Sequence, residues 1–146
     1  MAIGKEHVQG AGNTDIAVAR EGGFSAAIEL KWWSDPSNQV DDALWDAVKV
    51  ATFVREDVAD AGYLIAAGSD STWDSEMRLL MFCQRGEWPL AEIRQGQTYF
   101  QNMFSASKGP LTLPIGLRTE PAGEPVAIQT ETGPWSLRCC RVWPLP

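Results

Sequence analysis

The chain has 146 residues, 45% of them apolar, which suits one domain with a sizeable core rather than a disordered chain. A formal charge of −7 and a pI of about 4.6 leave no basic surplus for broad non-specific binding to DNA or RNA. No apolar run reaches the roughly 18 residues of a membrane span, and the first residues lack the apolar stretch of a secretory signal, so a soluble cytoplasmic protein is expected.

The first 13 residues are glycine-rich and weakly patterned, and read as a loop or a short strand lead-in. Thr14–Arg20 and Phe24–Trp33 read as two strands around Glu21-Gly22-Gly23. Ser34-Asp35-Pro36 breaks the second strand with helix-start character. From Asn38 to about Asp57, Val40, Leu44, Val48, Ala51 and Val54 recur at helical spacing. "YLIAAG", Tyr63–Gly68, follows as a short buried strand, and a strand–helix–strand order predicts a crossover that lays it parallel to the second hairpin strand.

Trp73–Gln84 carries a second helical period. Trp88–Lys108 has no clear period, with a candidate helix around "TYFQNMF". "GPLTLPIG" is a proline-punctuated loop or edge strand, and Val126–Trp143 reads as a last hairpin. The expectation is a single domain, 1–146, of α/β (α+β) class: a mixed central sheet flanked by helices. Its core is a hairpin–helix–strand unit over 14–68, with a helical segment over 73–108 and strands over 111–143. The cysteines Cys83, Cys139 and Cys140 show no zinc spacing and read as small apolar residues in reduced form.

Three charges interrupt the first hairpin. A three-residue turn at Glu21-Gly22-Gly23 sets Arg20 opposite Phe24 and, counting outward, Asp15 opposite Glu29. Opposed residues share a sheet face and side chains alternate with period 2. Asp15, Glu29 and Lys31 then project from one side with Ala17, Ala19 and Ala27, as a shallow cleft. Ile16, Val18, Ile28 and Leu30 project from the other. Opposed carboxylates repel, and a divalent cation reverses that sign. Mg²⁺ takes one or two carboxylates, with waters and a substrate phosphate completing its shell. The backbone carbonyl of Leu30 is a further oxygen within reach of such an ion, and Lys31 can balance charge developing on a phosphate or help deprotonate water.

Asp15, a 13-residue gap and Glu29-Leu30-Lys31 at the end of an apolar strand resemble the PD-(D/E)xK nuclease superfamily, whose restriction-endonuclease-like core carries the motif on a hairpin followed by a helix and a strand. Thr14 stands where the motif's proline would be. The resemblance covers Thr14–Gly68 and implies hydrolysis of DNA phosphodiesters with Mg²⁺ or Mn²⁺. It makes Asp15 and Glu29 metal ligands, with the Leu30 carbonyl, and Lys31 the catalytic lysine. Members carry a further polar residue on the next helix, for which Gln39, Asp42 and Asp46 are positioned. Glu6 is the candidate substitute for an acidic residue on the superfamily's leading helix.

The plainer reading of Asp15, Glu29 and Lys31 is a solvated hairpin face with a Lys–Glu pair. Asp42, Asp46 and Lys49 share a helix face that also reads as solvated. Seven tryptophans without interleaved basic residues suit core packing, or an interface with a protein partner or a second copy of the chain. Two function classes follow: a metal-dependent DNA nuclease, or a catalytically inactive interaction, immunity-like or regulatory module on the same fold.

Overall fold

A computed structural model describes residues 7–8, 12–33, 40–73, 91–93, 95–96, 98–99, 111–112 and 114–146. In chain order the elements are β1 (His7–Val8), β2 (Gly12–Asn13), β3 (Ile16–Arg20), β4 (Gly23–Trp33), α1 (Val40–Arg55), β5 (Gly62–Ser69) and the single turn α2 (Asp70–Trp73). There follow β6 (Ala91–Ile93), β7 (Thr98–Tyr99), β8 (Leu111–Thr112), β9 (Leu117–Pro121), β10 (Val126–Thr130) and β11 (Gly133–Pro144). The main sheet runs β3-β4-β5-β11-β9-β6, with β10 paired to β11, while β1–β2 and β7–β8 form two small antiparallel pairs.

This is a mixed sheet of α+β class. β3 and β4 are antiparallel, β4 and β5 are parallel as the crossover order requires, and β5 and β11 are antiparallel. The C-terminal hairpin forms as expected, with Val126 opposite Leu137 and Thr130 opposite Gly133. The helix expected over Trp73–Gln84 lies outside the described residues except for Trp73. Within the expected helical segment 73–108, Ala91–Ile93 and Thr98–Tyr99 are strands: Ala91–Ile93 finds a partner in β9, and tertiary pairing overrides a weak local pattern. No helix among the described residues is long and apolar enough to cross a membrane.

The first hairpin reaches its expected register by a different route. Arg20 lies opposite Gly23, so the turn has two residues, Glu21 and Gly22, and Ala19, not Arg20, faces Phe24. Gly22 has φ 76°, a left-handed conformation that glycine takes without a Cβ clash. A bulge then leaves Ser25 without an opposite residue, so Val18 faces Ala26 and Ile16 faces Ile28. The bulge restores the residue that the shorter turn left out, and from Val18–Ala26 to Ile16–Ile28 the faces match the expected separation; the ladder ends there, short of the expected Asp15–Glu29 pair.

What covers those faces differs from the pattern. α1 packs over the side bearing Ala17, Ala27, Glu29 and Lys31, while the apolar side leaves Leu30 47% and Trp32 59% exposed. The reason is the size of the side chains. Ala27, Ala66, Ala43, Ala47 and Ala51 are all buried, and small residues on both surfaces let the helix lie close to the sheet. Phe53, Val50, Leu64, Leu117, Cys140 and Val142 complete this core. At Gly62 the approach is tightest: a Cβ there would lie 3.1 Å from both the Cβ and the carbonyl oxygen of Val50. The helix ends where Asp57 turns left-handed at φ 56°, and the Val58 and Ala59 amides then donate back to the Phe53 carbonyl, satisfying its open end.

Gly62→Val should therefore push α1 off the sheet and destabilise the fold by about 1–3 kcal/mol. Urea unfolding of the variant against the wild type measures this, with an unchanged m-value expected.

Candidate functional site

Beyond Ile16 and Ile28 the β3–β4 ladder stops, and side chains take over from backbone. The Thr14 hydroxyl donates to the Ile28 carbonyl at 3.0 Å, and Oδ2 of Asp15 accepts the Leu30 amide at 2.9 Å. Thr14 is buried and Asp15 exposed, so the pair closes the strand edge from the outside. In an extended strand the N–H and C=O of one residue point to the same edge. The Leu30 carbonyl therefore faces the edge where Asp15 sits.

Glu29, one residue back and on the α1 side, is only 2% exposed. Its Oε2 accepts from Lys49 Nζ on α1 at 2.8 Å. Lys49 also lies 3.2 Å from Oδ1 of Asp46, whose Oδ2 takes Lys31 Nζ at 2.6 Å. Four charges thus alternate in sign across the strand–helix seam: Glu29, Lys49, Asp46, Lys31. Their placement follows from two periods. Glu29 and Lys31 are two apart on a strand, and Asp46 and Lys49 are three apart on a helix, so each pair shares a face.

Burial raises the pKa of Glu29 above its ordinary value; Lys49 pulls it back, while the charges of Asp46 and Asp15 add to the rise. Asp15 is thus near enough to Glu29 to repel it. Burial lowers the Lys49 pKa, but Glu29 and Asp46 together overcome it and leave the ammonium held more firmly than usual. The asymmetry is physical: Glu29 is the more deeply buried and has one cationic partner, whereas Lys49 has two carboxylates.

Asp15 sits at the β4 edge that the Leu30 backbone faces, Glu29 projects from the next residue towards α1, and Lys31 lies on the Glu29 face. Lys31 meets Asp46 rather than Glu29, so the expected Lys31–Glu29 pair is replaced by two cross-element pairs. Asp46 is 7% exposed, not on a solvated face as its helix pattern reads, because the sheet side it meets carries Lys31. Glu6 and Gln39 lie outside the described residues, and Asp42 lies in α1 with its side chain outside them. Lys49 is the member that sequence reasoning left without a role. Its spacing from Asp46 placed it on the right stripe, and only the helix docking shows which way that stripe faces.

The donors suit a hard cation. Oε1 of Glu29 is buried and has no hydrogen-bond partner, and carboxylate and carbonyl oxygens such as those of Glu29, Asp15 and Leu30 are the ligands a hard cation takes. Among the described residues no three His, Cys, Asp or Glu side chains gather as a metal cluster. Comparison with protein-family models, with curated proteins and with solved structures found no match.

Lys49→Met should cost about 3 kcal/mol in urea unfolding, because Glu29 would stay buried beside Asp46 and Asp15 without its cation. Glu29→Gln should cost less, since the amide oxygen still accepts from Lys49, and combining the two should recover much of the Lys49→Met loss.

The raised Glu29 pKa also sets a pH dependence. A carboxyl whose folded pKa exceeds its unfolded one contributes stability below the unfolded value, and loses it as pH rises through the folded value. From neutrality down towards 4.5, the wild type should gain stability relative to Glu29→Gln. Denaturation of both proteins across that range checks the sign.

Proposed function

We propose that the chain hydrolyses phosphodiester bonds in DNA with Mg²⁺ or Mn²⁺, on a restriction-endonuclease-like hairpin–helix–strand core of the PD-(D/E)xK type. The observation that carries this reading is the buried, unpartnered Glu29 Oε1, on the residue next to Leu30, whose amide Asp15 holds where the β3–β4 ladder has ended. A buried oxygen without a partner costs roughly 1–3 kcal/mol, and bound cation is one way to recover it.

On this reading Asp15, Glu29 and the Leu30 carbonyl hold the ion. Bound there, a divalent cation supplies an acidified water and a counter-charge for phosphate oxygens. Hydrolysis adds one water across a P–O bond, giving a phosphate monoester and a hydroxyl. Lys31 is the catalytic lysine: its ammonium, resting against Asp46, is the charge that shifts to the phosphate as negative charge builds there. Lys49 positions Glu29 and keeps the seam neutral, and Asp46 positions Lys31. An overall charge of −7 then confines nucleic-acid contact to a local patch.

An interaction module on the same fold is the second reading. It is favoured by the open sheet face, where Trp32 is 59% exposed and stacks on Trp135 with centroids 4.4 Å apart. A protein partner or a second copy of the chain would cover it.

Plasmid and single-strand cleavage with Mn²⁺ should show activity for the wild type and a loss of about a hundredfold or more for Lys31→Ala. A folded wild type with no cleavage above a mock preparation would favour the interaction module.

A further inference from the structure

Among the described residues β10 pairs with β11 alone, so its outer side is a free sheet edge. The ladder fixes which backbone groups point outward. Gln129 lies opposite Pro134, which has no amide to donate, so these two form a pair without mutual hydrogen bonds. Bonded and unbonded pairs alternate, so Thr130, Ile128 and Val126 turn their N–H and C=O groups to β11. The Cys139 carbonyl agrees: it accepts from Ala122 on the same side of β11, in step with Gly133, Trp135 and Leu137. Ala127 and Gln129 therefore turn their backbone groups away from the sheet. Both are exposed, and both line a cleft of about 510 Å³, so there is room beside them.

Edge strands are ordinarily blunted by a charge, a proline or a bulge. β3, also an edge, carries Arg20 and lies against the Ser25 bulge. β10 has no such device: its five residues are uncharged, none is proline, and its register with β11 is unbroken. The ends of the strand are acidic. Glu124 and Glu131 are exposed, as is Asp70 in the cleft, and none of the three pairs with a cation among the described residues.

An added strand would satisfy the outward groups of Ala127 and Gln129, and charge decides whose strand it is. A second copy of β10, antiparallel about Ile128, would set Ala127 against Gln129 of the copy. Glu131 of each chain would then fall within one residue of Glu124 in the other, and opposed like charges destabilise a strand pair. Each copy also brings a net charge of −7. A cationic strand reverses both effects. We propose that β10 receives an extended, basic segment of a partner protein as an added strand. The segment is uncharged and β-branched where it pairs, with Lys or Arg at each end to meet Glu124 and Glu131. This docking is independent of hydrolysis at the charged seam.

Anisotropy of the fluorescein-labelled peptide KKVTVTVKK follows binding to the full chain. Two further peptides accompany it: EEVTVTVEE reverses the charge, and KKVTVTVKK N-methylated at every Val and Thr keeps the charge but loses its amide donors. In the protein, Ala127→Pro and Gln129→Pro each remove one outward amide that the β10–β11 ladder does not use. Circular dichroism checks that these variants fold, and the N-methylated peptide tests the strand without touching the fold. Sedimentation of the chain without peptide gives its oligomeric state.

The wild type should bind KKVTVTVKK about tenfold more tightly than either of the other peptides, and each proline variant should lose about as much. Binding that survives N-methylation would show charge attraction without strand pairing and overturn the proposal. So would a wild type that binds none of the peptides, or folded proline variants that bind as the wild type does. A wild type that sediments as a dimer, and as a monomer once Gln129→Pro is introduced, would give this edge to a second copy of the chain and overturn the basic partner.

Discussion

A carboxylate at 2% exposure cannot stand without a cation close by, and the burial of Glu29 is the constraint on which the site depends. Lys49 meets it from α1, and that contact sets the rotation of the helix about its own axis. Once Lys49 faces β4, Asp46 one turn earlier must face it too, and it meets Lys31. The same rotation turns Ala43, Ala47, Val50 and Ala51 onto the sheet. Charge pairing and apolar packing therefore specify one docking, and a helix turned by a third of a revolution would lose both.

The close approach has a cost that the seam shows. Alanines on both surfaces and glycine at 62 bring α1 near the strands, so little water reaches Glu29 and its second oxygen is left without a partner. Such an atom is where a polar ligand gains most, since the desolvation is already complete before anything binds. Asp15 lies at the same edge but stays exposed, anchored by the Leu30 amide. Glu29 is thus the deep carboxylate and Asp15 the shallow one.

The opposite face of the sheet follows another logic. Trp32 reaches across β5 to stack on Trp135, over the small residues Ala67 and Ser69 that pair with them. The Arg141 guanidinium lies 3.6 Å from the Trp143 ring centroid. Cation–π and stacked-indole contacts keep these large side chains ordered, although Leu30 and Trp32 remain about half exposed. Cys139 and Cys140 straddle the two faces as free thiols, and burial raises the pKa of both.

Much of this was legible in the residues themselves. Period-2 alternation put Glu29 and Lys31 on one face, the helical stripe marked α1, and strand–helix–strand order made β5 parallel to β4, because these signals are local or follow from chain handedness. The turn was misread by one residue, yet the register survived, since a bulge at Ser25 kept the apolar and polar sets apart. Which face of the hairpin the helix would cover was not legible. The apolar side of β4 looks like the buried one, but Leu30 and Trp32 are too bulky for a close helix, whereas alanines admit it. The ion partners were hidden for the same reason: Lys31 and Glu29 are sequence neighbours, but partners are chosen by which charges α1 brings within 3 Å or so of each. Sequence alone determined the first hairpin, α1, the parallel β5 and the C-terminal hairpin. Tertiary structure alone decided which side is dry, and dryness is what turns ordinary charges into a site.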